Sequence, residues 1–193
     1  MDKFLIDGHK LIYHPDRVSE LAEAGNDWEK HKSLRPLYAE ISTSGACNHR
    51  CTFCSVDYIG YKTVFLSRKK LKEFFSSGEK LGLKAVMFAG DGEPLLNPEI
   101  NEIIKDATEH HIDTSFTTNG VHIKDDFIER AMRNVSWIKV SINAGSPEVY
   151  KHVHRTSEND FAKVWKNLEK AVYYRSRNQD SVKTAIGLSL IHI

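Results

Sequence analysis

A chain of 193 residues is long enough for one domain with a real core and too short for two ordinary ones. Hydrophobic residues make up 40% and charged residues 27%, a globular balance that excludes general disorder. Lys and Arg number 27 against 26 Asp and Glu, a net charge of +1, so charge supports neither a nucleic-acid partner nor an anionic membrane.

No apolar run reaches membrane-spanning length. The opening MDKFLIDGHKLIYHPDR places charges where a signal peptide needs an apolar stretch. The expectation is a cytoplasmic protein with no membrane contact.

Residues 1–35 read as an N-terminal extension. They carry turn signals at Gly8, His14-Pro15 and Gly25-Asn26 and a short helix candidate over 18–24. The main domain is expected over residues 36–187. LYAEIST (37–43) alternates apolar and polar and reads as a strand. After a cysteine loop, Ser67 caps a helix with Leu71, Phe74, Phe75 and Leu81 on one face, ended by Gly82. AVMFA (85–89) is a continuous apolar run, the pattern of a parallel strand buried on both faces. Asn97-Pro98 reads as an N-cap with proline at the first helical position, leading a helix with Ile100, Ile103, Ile104 and Ala107 inward.

A third strand is expected at 113–117, then a helix carrying Phe127, Ile128, Ala131, Met132 and Val135. IKVSI (138–142) is the fourth strand. Ser146-Pro147-Glu148 starts a short helix, and Phe161, Val164, Leu168, Ala171 and Val172 mark the face of a longer one. A fifth strand spans 184–188. This alternation implies an α/β fold with a parallel sheet and right-handed crossovers. Periodicity does not choose between a barrel, a partial barrel and an open doubly wound sheet.

The chemistry collects at strand ends. CNHRCTFC (47–54) follows the first strand, GDGEP (90–94) the second, TTNG (117–120) the third and SINAGS (141–146) the fourth. In parallel α/β folds these ends share the face that carries active sites. Cys47, Cys51 and Cys54 are the three cysteines of the chain, an odd number that argues against a disulfide framework. The spacing C-x-x-x-C-x-x-C can hold three corners of a cubane iron–sulfur cluster and leave one iron open. Structural zinc is the competing reading. It normally closes with four ligands, and His49 inside the loop is poorly placed to be the fourth.

Each of the other motifs alone has an ordinary reading: GDGEP and TTNG as turns, Ser141 as a small strand-end residue. Their joint placement overturns these. His110-His111 reads as a helix-end pair, and His152-x-His154 offers a metal-ligand reading that is outweighed by that of solvated helix-end histidines. Trp137, Trp165, Tyr173 and Tyr174 read as packing residues, and Arg68-Lys69-Lys70 as a solvated helix start.

CNHRCTFC resembles the signature of the radical S-adenosylmethionine (SAM) enzymes. GDGEP resembles that family's Gly-Gly-Glu-Pro motif, and TTNG and SINAGSPEVY its third- and fourth-strand segments, in the same order over roughly residues 37–187. The look is nearest the branch of the molybdenum-cofactor cyclase and the peptide-modifying (SPASM-type) enzymes. The resemblance implies a partial (β/α)6 TIM-like barrel, here with its first five strands. It implies a [4Fe-4S] cluster on Cys47, Cys51 and Cys54, and SAM chelating the open iron. Reductive cleavage of SAM then gives a 5′-deoxyadenosyl radical that takes hydrogen from a small-molecule or peptide substrate, with flavodoxin or ferredoxin as electron donor. The alternative is a non-catalytic cluster or zinc protein, or an inactive fragment, on the same scaffold.

By the same resemblance, Phe53 lies near the adenine. Gly90, Asp91, Gly92 and Glu93 meet the methionine amino group, Thr117 and Asn119 approach the methionyl end, and Ser141 and Asn143 face the ribose or carboxylate. Asp91 stands where a second glycine is common, and Asn143 where an aspartate is frequent. Glu93→Ala or Gly92→Val is expected to weaken SAM binding and spare the cluster. A parallel strand needs both faces covered, and the chain stops at LSLIHI (188–193), so continuation of the natural protein is expected. That segment is similar to the translation of a transposon-end sequencing adapter, which implies a non-native tail.

Overall fold

In a computed structural model, residues 10–190 are described; the Gly8 turn and residues 191–193 of the tail lie outside them. Helices α1 (Pro15–Ala24) and α2 (Trp28–Ser33) precede strand β1 (Tyr38–Ile41). Then follow α3 (Ser55–Ile59), α4 (Arg68–Lys80), β2 (Ala85–Phe88), α5 (Ile100–Glu109) and β3 (Asp113–Thr118). The chain continues through α6 (Asp125–Arg130), β4 (Val135–Ser141), α7 (Pro147–His154), α8 (Glu158–Arg177) and β5 (Ala185–Ser189).

The five strands form one sheet in the order β1-β2-β3-β4-β5, every neighbour parallel. Sequential order decides what periodicity could not. A doubly wound sheet reverses direction at a switch point, whereas crossovers of one hand between successive neighbours keep all helices on one face and curl the sheet toward a barrel. The fold is the α/β, partial-barrel type expected.

The core lies between sheet and helices. Val86 and Phe88 of β2 and Phe116 of β3 are fully buried against Phe75 of α4, Ile103 and Ile104 of α5 and Phe127 of α6. Phe88, Phe116 and Phe127 stack in sequence, with centroids 5.1 and 5.7 Å apart. The apolar runs at β2 and β4 are central strands whose helix-side residues Val86, Phe88, Ile138 and Val140 are buried, while Met87 is part-exposed and Lys139 exposed.

Several elements depart from the sequence reading. Asn97 caps no long helix, since α5 starts at Ile100. Its side chain instead accepts from Glu99 N at 2.9 Å and donates to the Thr43 and Leu66 carbonyls, both at 2.9 Å. Ser67 stands at the α4 N-cap without a side-chain bond; Arg68 N is capped by Glu99 across the core edge at 2.9 Å. The helix expected through Val135 stops at Arg130, a 3-10 turn covers Met132–Asn134, and Val135 opens β4.

Phe74, Leu81, Val172, Trp165 and Tyr173 are exposed rather than packed, because α4 and α8 each bury a narrower stripe than their apolar content suggests. Arg68 is not simply solvated. Its guanidinium holds the fully buried Asp106 carboxylate through two bonds of 2.6 and 2.9 Å, a bidentate pairing that carries much of the charge-assisted bonding between α4 and α5. His110 pairs with Glu79 at 2.8 Å, a structural role as expected. β5 is an edge strand and takes in Leu188 and Ser189.

Candidate functional site

The C-terminal ends of β1 to β4 open into one cleft. It is lined by Cys47, Cys51, Cys54, Phe53, Gly90, Asp91, Gly92, Glu93, Thr117, Asn119 and Ser141, so eleven of the twelve expected site residues converge there. Asn143 is the exception. It is fully buried in a left-handed conformation just past β4, with φ of 50°, and does not line the cleft.

The cysteine loop is built from backbone. Residue Arg155 adopts a left-handed conformation that ends α7, which leaves the last carbonyls of that helix without helical partners. The loop supplies them: Arg50 N donates to the His154 carbonyl at 3.0 Å and Thr52 N to the Val153 carbonyl at 2.8 Å. The Arg50 side chain folds back and donates to the Cys47 and His49 carbonyls at 2.6 and 2.7 Å, with its guanidinium 4.2 Å from the Tyr61 ring centre.

The three thiols are free, half-buried and face one space. Cys47 Sγ accepts from His49 N at 3.5 Å and Cys54 Sγ lies 3.3 Å from Tyr61 Oη. Burial pushes Cys51 up to about 12, with the Cys47 and Cys54 sulfurs adding repulsion. Burial raises Cys47 as well. Thiols that penalise one another's ionisation while bracing one loop are a donor set for a metal centre, whose charge reverses that penalty. The residues present therefore fit a cluster ligated by three cysteines.

The glycine turn packs tightly against the backbone that leads into the cysteine loop. Gly90 has φ of 101°, and a Cβ there would lie 2.8 Å from Ser42 Cβ. At Gly92 a Cβ would lie 2.3 Å from the Ala46 carbonyl oxygen and 2.4 Å from that of Ser44. The turn thus presses on the backbone leading into Cys47, and Glu93 N donates to the Ala46 carbonyl at 2.8 Å. A side chain at Gly92 reaches the cysteine loop as well as the turn, against the expectation that substitution there spares the cluster.

Glu93 is buried and heavily bonded. Oε1 accepts from Thr118 Oγ1 at 2.6 Å and Leu95 N at 3.1 Å; Oε2 accepts from Asn119 N at 2.8 Å. Burial pushes its carboxyl up, and these three donors oppose the shift. Its carboxylate ties the second strand end to the third. Asn119 Nδ2 then donates to Asn48 Oδ1 at 2.8 Å, closing back onto the cysteine loop. Asn167 of α8 holds the same turn from outside, donating to the Gly120 and Val121 carbonyls, each at 3.0 Å. The apposed side chain of Thr117 points to Met87, with Oγ1 3.6 Å from its sulfur.

Five residues that line the cleft were not among the expected site residues: His49 as a buried wall, Tyr61, Ala89, Thr118 and His154. His154 is not a solvated helix-end histidine. It is buried, with Nε2 2.8 Å from the Ile142 carbonyl and Nδ1 3.0 Å from Cys51 Sγ. No pattern in one sequence announces it, because its proximity to Cys51 comes from where α7 ends relative to β4. His49 is buried against Tyr150 and His154, and burial, with the neighbouring His154, holds its pKa down at about 4.

The sequence pattern of the Radical SAM superfamily matches residues 41–188. A probable GTP 3′,8-cyclase of Thermococcus kodakarensis is 32% identical over 152 residues, covering 77% of this chain and 48% of that protein. An S-adenosylmethionine-dependent nucleotide dehydratase of Flammeovirga pacifica is 31% identical over 118 residues, covering 58% of this chain and 40% of that protein. In fold the chain is similar to Streptococcus suis SuiB crystallised with S-adenosylmethionine, with a TM-score of 0.59 at 17% identity, over 90% of this chain and 45% of that one. The chain spans about half the length of the curated relatives it matches. Among the described residues no helix is long and apolar enough to cross a membrane.

Proposed function

The chain belongs to the radical SAM superfamily, and on that premise we propose that it is an enzyme that carries a [4Fe-4S] cluster on Cys47, Cys51 and Cys54 and binds SAM beside it. A reduced cluster held there would supply the electron for reductive SAM cleavage, and with it hydrogen abstraction from a small-molecule or peptide substrate. The observation that carries this reading is the convergence of three thiols and a glycine turn with no room for side chains on one cleft. The crowding at Gly90 and Gly92 is with Ser42, Ser44 and Ala46, so it ties the turn to the cysteine loop and sets the strand-end motifs beside the thiols.

The chain's own residues do the holding. Three thiolates on a loop pinned to the end of α7 fix the cluster's place. Gly90, Asp91 and Gly92 present backbone to the methionyl amino group. Glu93 keeps that turn and the Thr117–Asn119 segment in register rather than acting as a free carboxylate, since its oxygens are already engaged. Phe53, half exposed at the rim, offers a face for the adenine. Ser141, at the cleft, is the better placed of the Ser141/Asn143 pair for ribose or carboxylate.

The names of similar proteins point to two substrate classes. The cyclase and the dehydratase carry nucleotides in theirs, and SuiB was also crystallised with a precursor peptide. We keep both, with a flavodoxin or ferredoxin as electron donor and the cytoplasm as the compartment, which suits thiols that must stay reduced. The test is anaerobic reconstitution with iron and sulfide, then SAM and dithionite, with chromatography for 5′-deoxyadenosine. Its formation, lost in Cys51→Ala, is expected. Stoichiometric zinc without iron after reconstitution, or a cluster that neither binds nor cleaves SAM, overturns the reading.

A further inference from the structure

We propose that, in protein not yet carrying its cluster, His49, Cys51 and His154 form a binding site for one thiophilic divalent cation of the zinc class. The ligand atoms of these three side chains all lie within 4.8 Å of one another. This site goes beyond the SAM reading and does not depend on it.

His154 is oriented as a metal ligand. The Ile142 carbonyl can only accept, so the 2.8 Å contact fixes the ring proton on Nε2. Nδ1 therefore presents its lone pair to Cys51 Sγ, 3.0 Å away. A ring nitrogen whose opposite N–H is tied to a backbone carbonyl is the usual outer support of a metal-binding histidine. His49 adds an independent pointer. It is 1% exposed, and among the described residues neither ring nitrogen makes a hydrogen bond; Nε2 has only the Asp160 carboxylate at an ion-pair distance of 3.6 Å. A buried imidazole lacking partners is rare in folded proteins, and a ligated cation would supply one.

The chemistry balances simply. The Cys51 thiol proton now shared with His154 Nδ1 leaves as the cation enters between sulfur and nitrogen, so one proton is released per ion. With zinc–sulfur near 2.3 Å and zinc–nitrogen near 2.0–2.1 Å, a tetrahedral S–Zn–N edge is about 3.6 Å. Cys51 must swing out by roughly half an ångström from its present 3.0 Å contact. The cleft, which all three residues line, admits water as the fourth ligand. Because Cys51 serves both centres, the cation and the cluster exclude one another.

The rival arrangement is zinc on the three cysteines, and the experiment separates the two. Anaerobic, cluster-free protein is titrated with Zn²⁺ against a chromophoric chelator, and with Co²⁺ for its sulfur-to-metal charge-transfer band. The expected result is one equivalent per chain, retained in the double variant Cys47→Ala/Cys54→Ala with the band of a single thiolate. His154→Gln and His49→Gln should each weaken Zn²⁺ binding by at least about tenfold. Should either histidine variant fail to fold, Cys51→Ser, nearly isosteric, must abolish the ion in the double-variant background. No zinc binding, loss of zinc in the double variant, or full affinity in the folded histidine variants overturns the proposal. Iron and sulfide assembly in the histidine variants is read separately by absorbance, so failure of the cluster reading would not be mistaken for failure of this one.

Discussion

Gly92→Ala is the sharpest test of how the turn after β2 and the cysteine loop share space. The backbone at Gly92 lies outside the left-handed region, so conformation is not the obstacle; room is. The added Cβ would sit 2.3 Å from the Ala46 carbonyl oxygen and 2.4 Å from that of Ser44, where ordinary contact begins at 3.4 Å. Something must move by about 1 Å, and both obstacles are backbone. The Ala46 carbonyl is also held by Glu93 N at 2.8 Å and Ser44 Oγ at 2.9 Å. Overpacking of this kind costs about 1–3 kcal/mol. For a chain of this size that lowers the melting temperature by roughly 2–12 °C. Because Ala46 precedes Cys47, the shift enters the ligand loop directly. Thermal unfolding of cluster-free protein should show the drop, and iron and sulfide content after reconstitution should fall. Gly187→Ala, where a Cβ meets nothing within 4 Å, is the control and should change stability by less than about 0.5 kcal/mol. A wild-type melting temperature with full iron content in Gly92→Ala would refute the reasoning.

Replacing Cys47, Cys51 or Cys54 singly by Ala should abolish the cluster's visible absorbance while circular dichroism stays unchanged; a variant that keeps full absorbance removes that cysteine from the ligand set. Glu93→Ala strands Thr118 Oγ1 and the Leu95 and Asn119 amides, at about 1–3 kcal/mol for each buried donor left unpaired. Lower thermal stability and weaker SAM binding should appear together, and an unchanged melting temperature would show the carboxylate to be dispensable. Arg68, bonded to Asp106, with help from Lys72, holds that carboxyl below its usual range. Such a group contributes stability that is full above the unfolded carboxylate pKa and lost as pH falls through the depressed folded value. Urea midpoints should therefore separate wild type from Asp106→Asn near neutrality and converge below about pH 4; a gap constant across that range would contradict the assignment.

What the sequence disclosed and what it hid divide along physical lines. The four strand ends were readable because parallel strands are short apolar runs, and the glycine and polar residues that follow them interrupt those runs. The expected strands at 113–117 and 138–142 recur as Asp113–Thr118 and Val135–Ser141, since buried β-residues leave little freedom in placement. Three things were not readable. Periodicity could not count how wide a stripe each helix buries, so Phe74 and Tyr173 were set inside and lie outside. Side chains that bridge elements, such as Arg68 to Asp106 or Asn97 to the Thr43 and Leu66 carbonyls, depend on tertiary distance and leave no local trace. His154 looked like any polar residue at a helix end, and only the Arg155 left-handed stop and the Ile142 carbonyl put it beside Cys51.

The same geometry explains why four weak motifs make one strong site. Each motif satisfies backbone or carboxylate groups of another. The cysteine loop donates to the carbonyls at the end of α7, and Glu93 N donates to the Ala46 carbonyl. The Glu93 carboxylate accepts from Thr118 and Asn119, and Asn119 returns to Asn48 in the cysteine loop. The path from cysteine loop to glycine turn to third strand end and back is closed, so no segment can be displaced without breaking a bond in the next. A buried carboxylate would ordinarily be a poor choice at such a junction, because removing it from water is costly. Here one side chain must meet donors from three backbone and side-chain positions at once, and an acceptor-only group with two oxygens does that where an amide, which carries donors of its own, cannot. Glu93 is therefore best understood as the fastener of the cleft, and the glycines as what lets the turn lie against the backbone leading into Cys47.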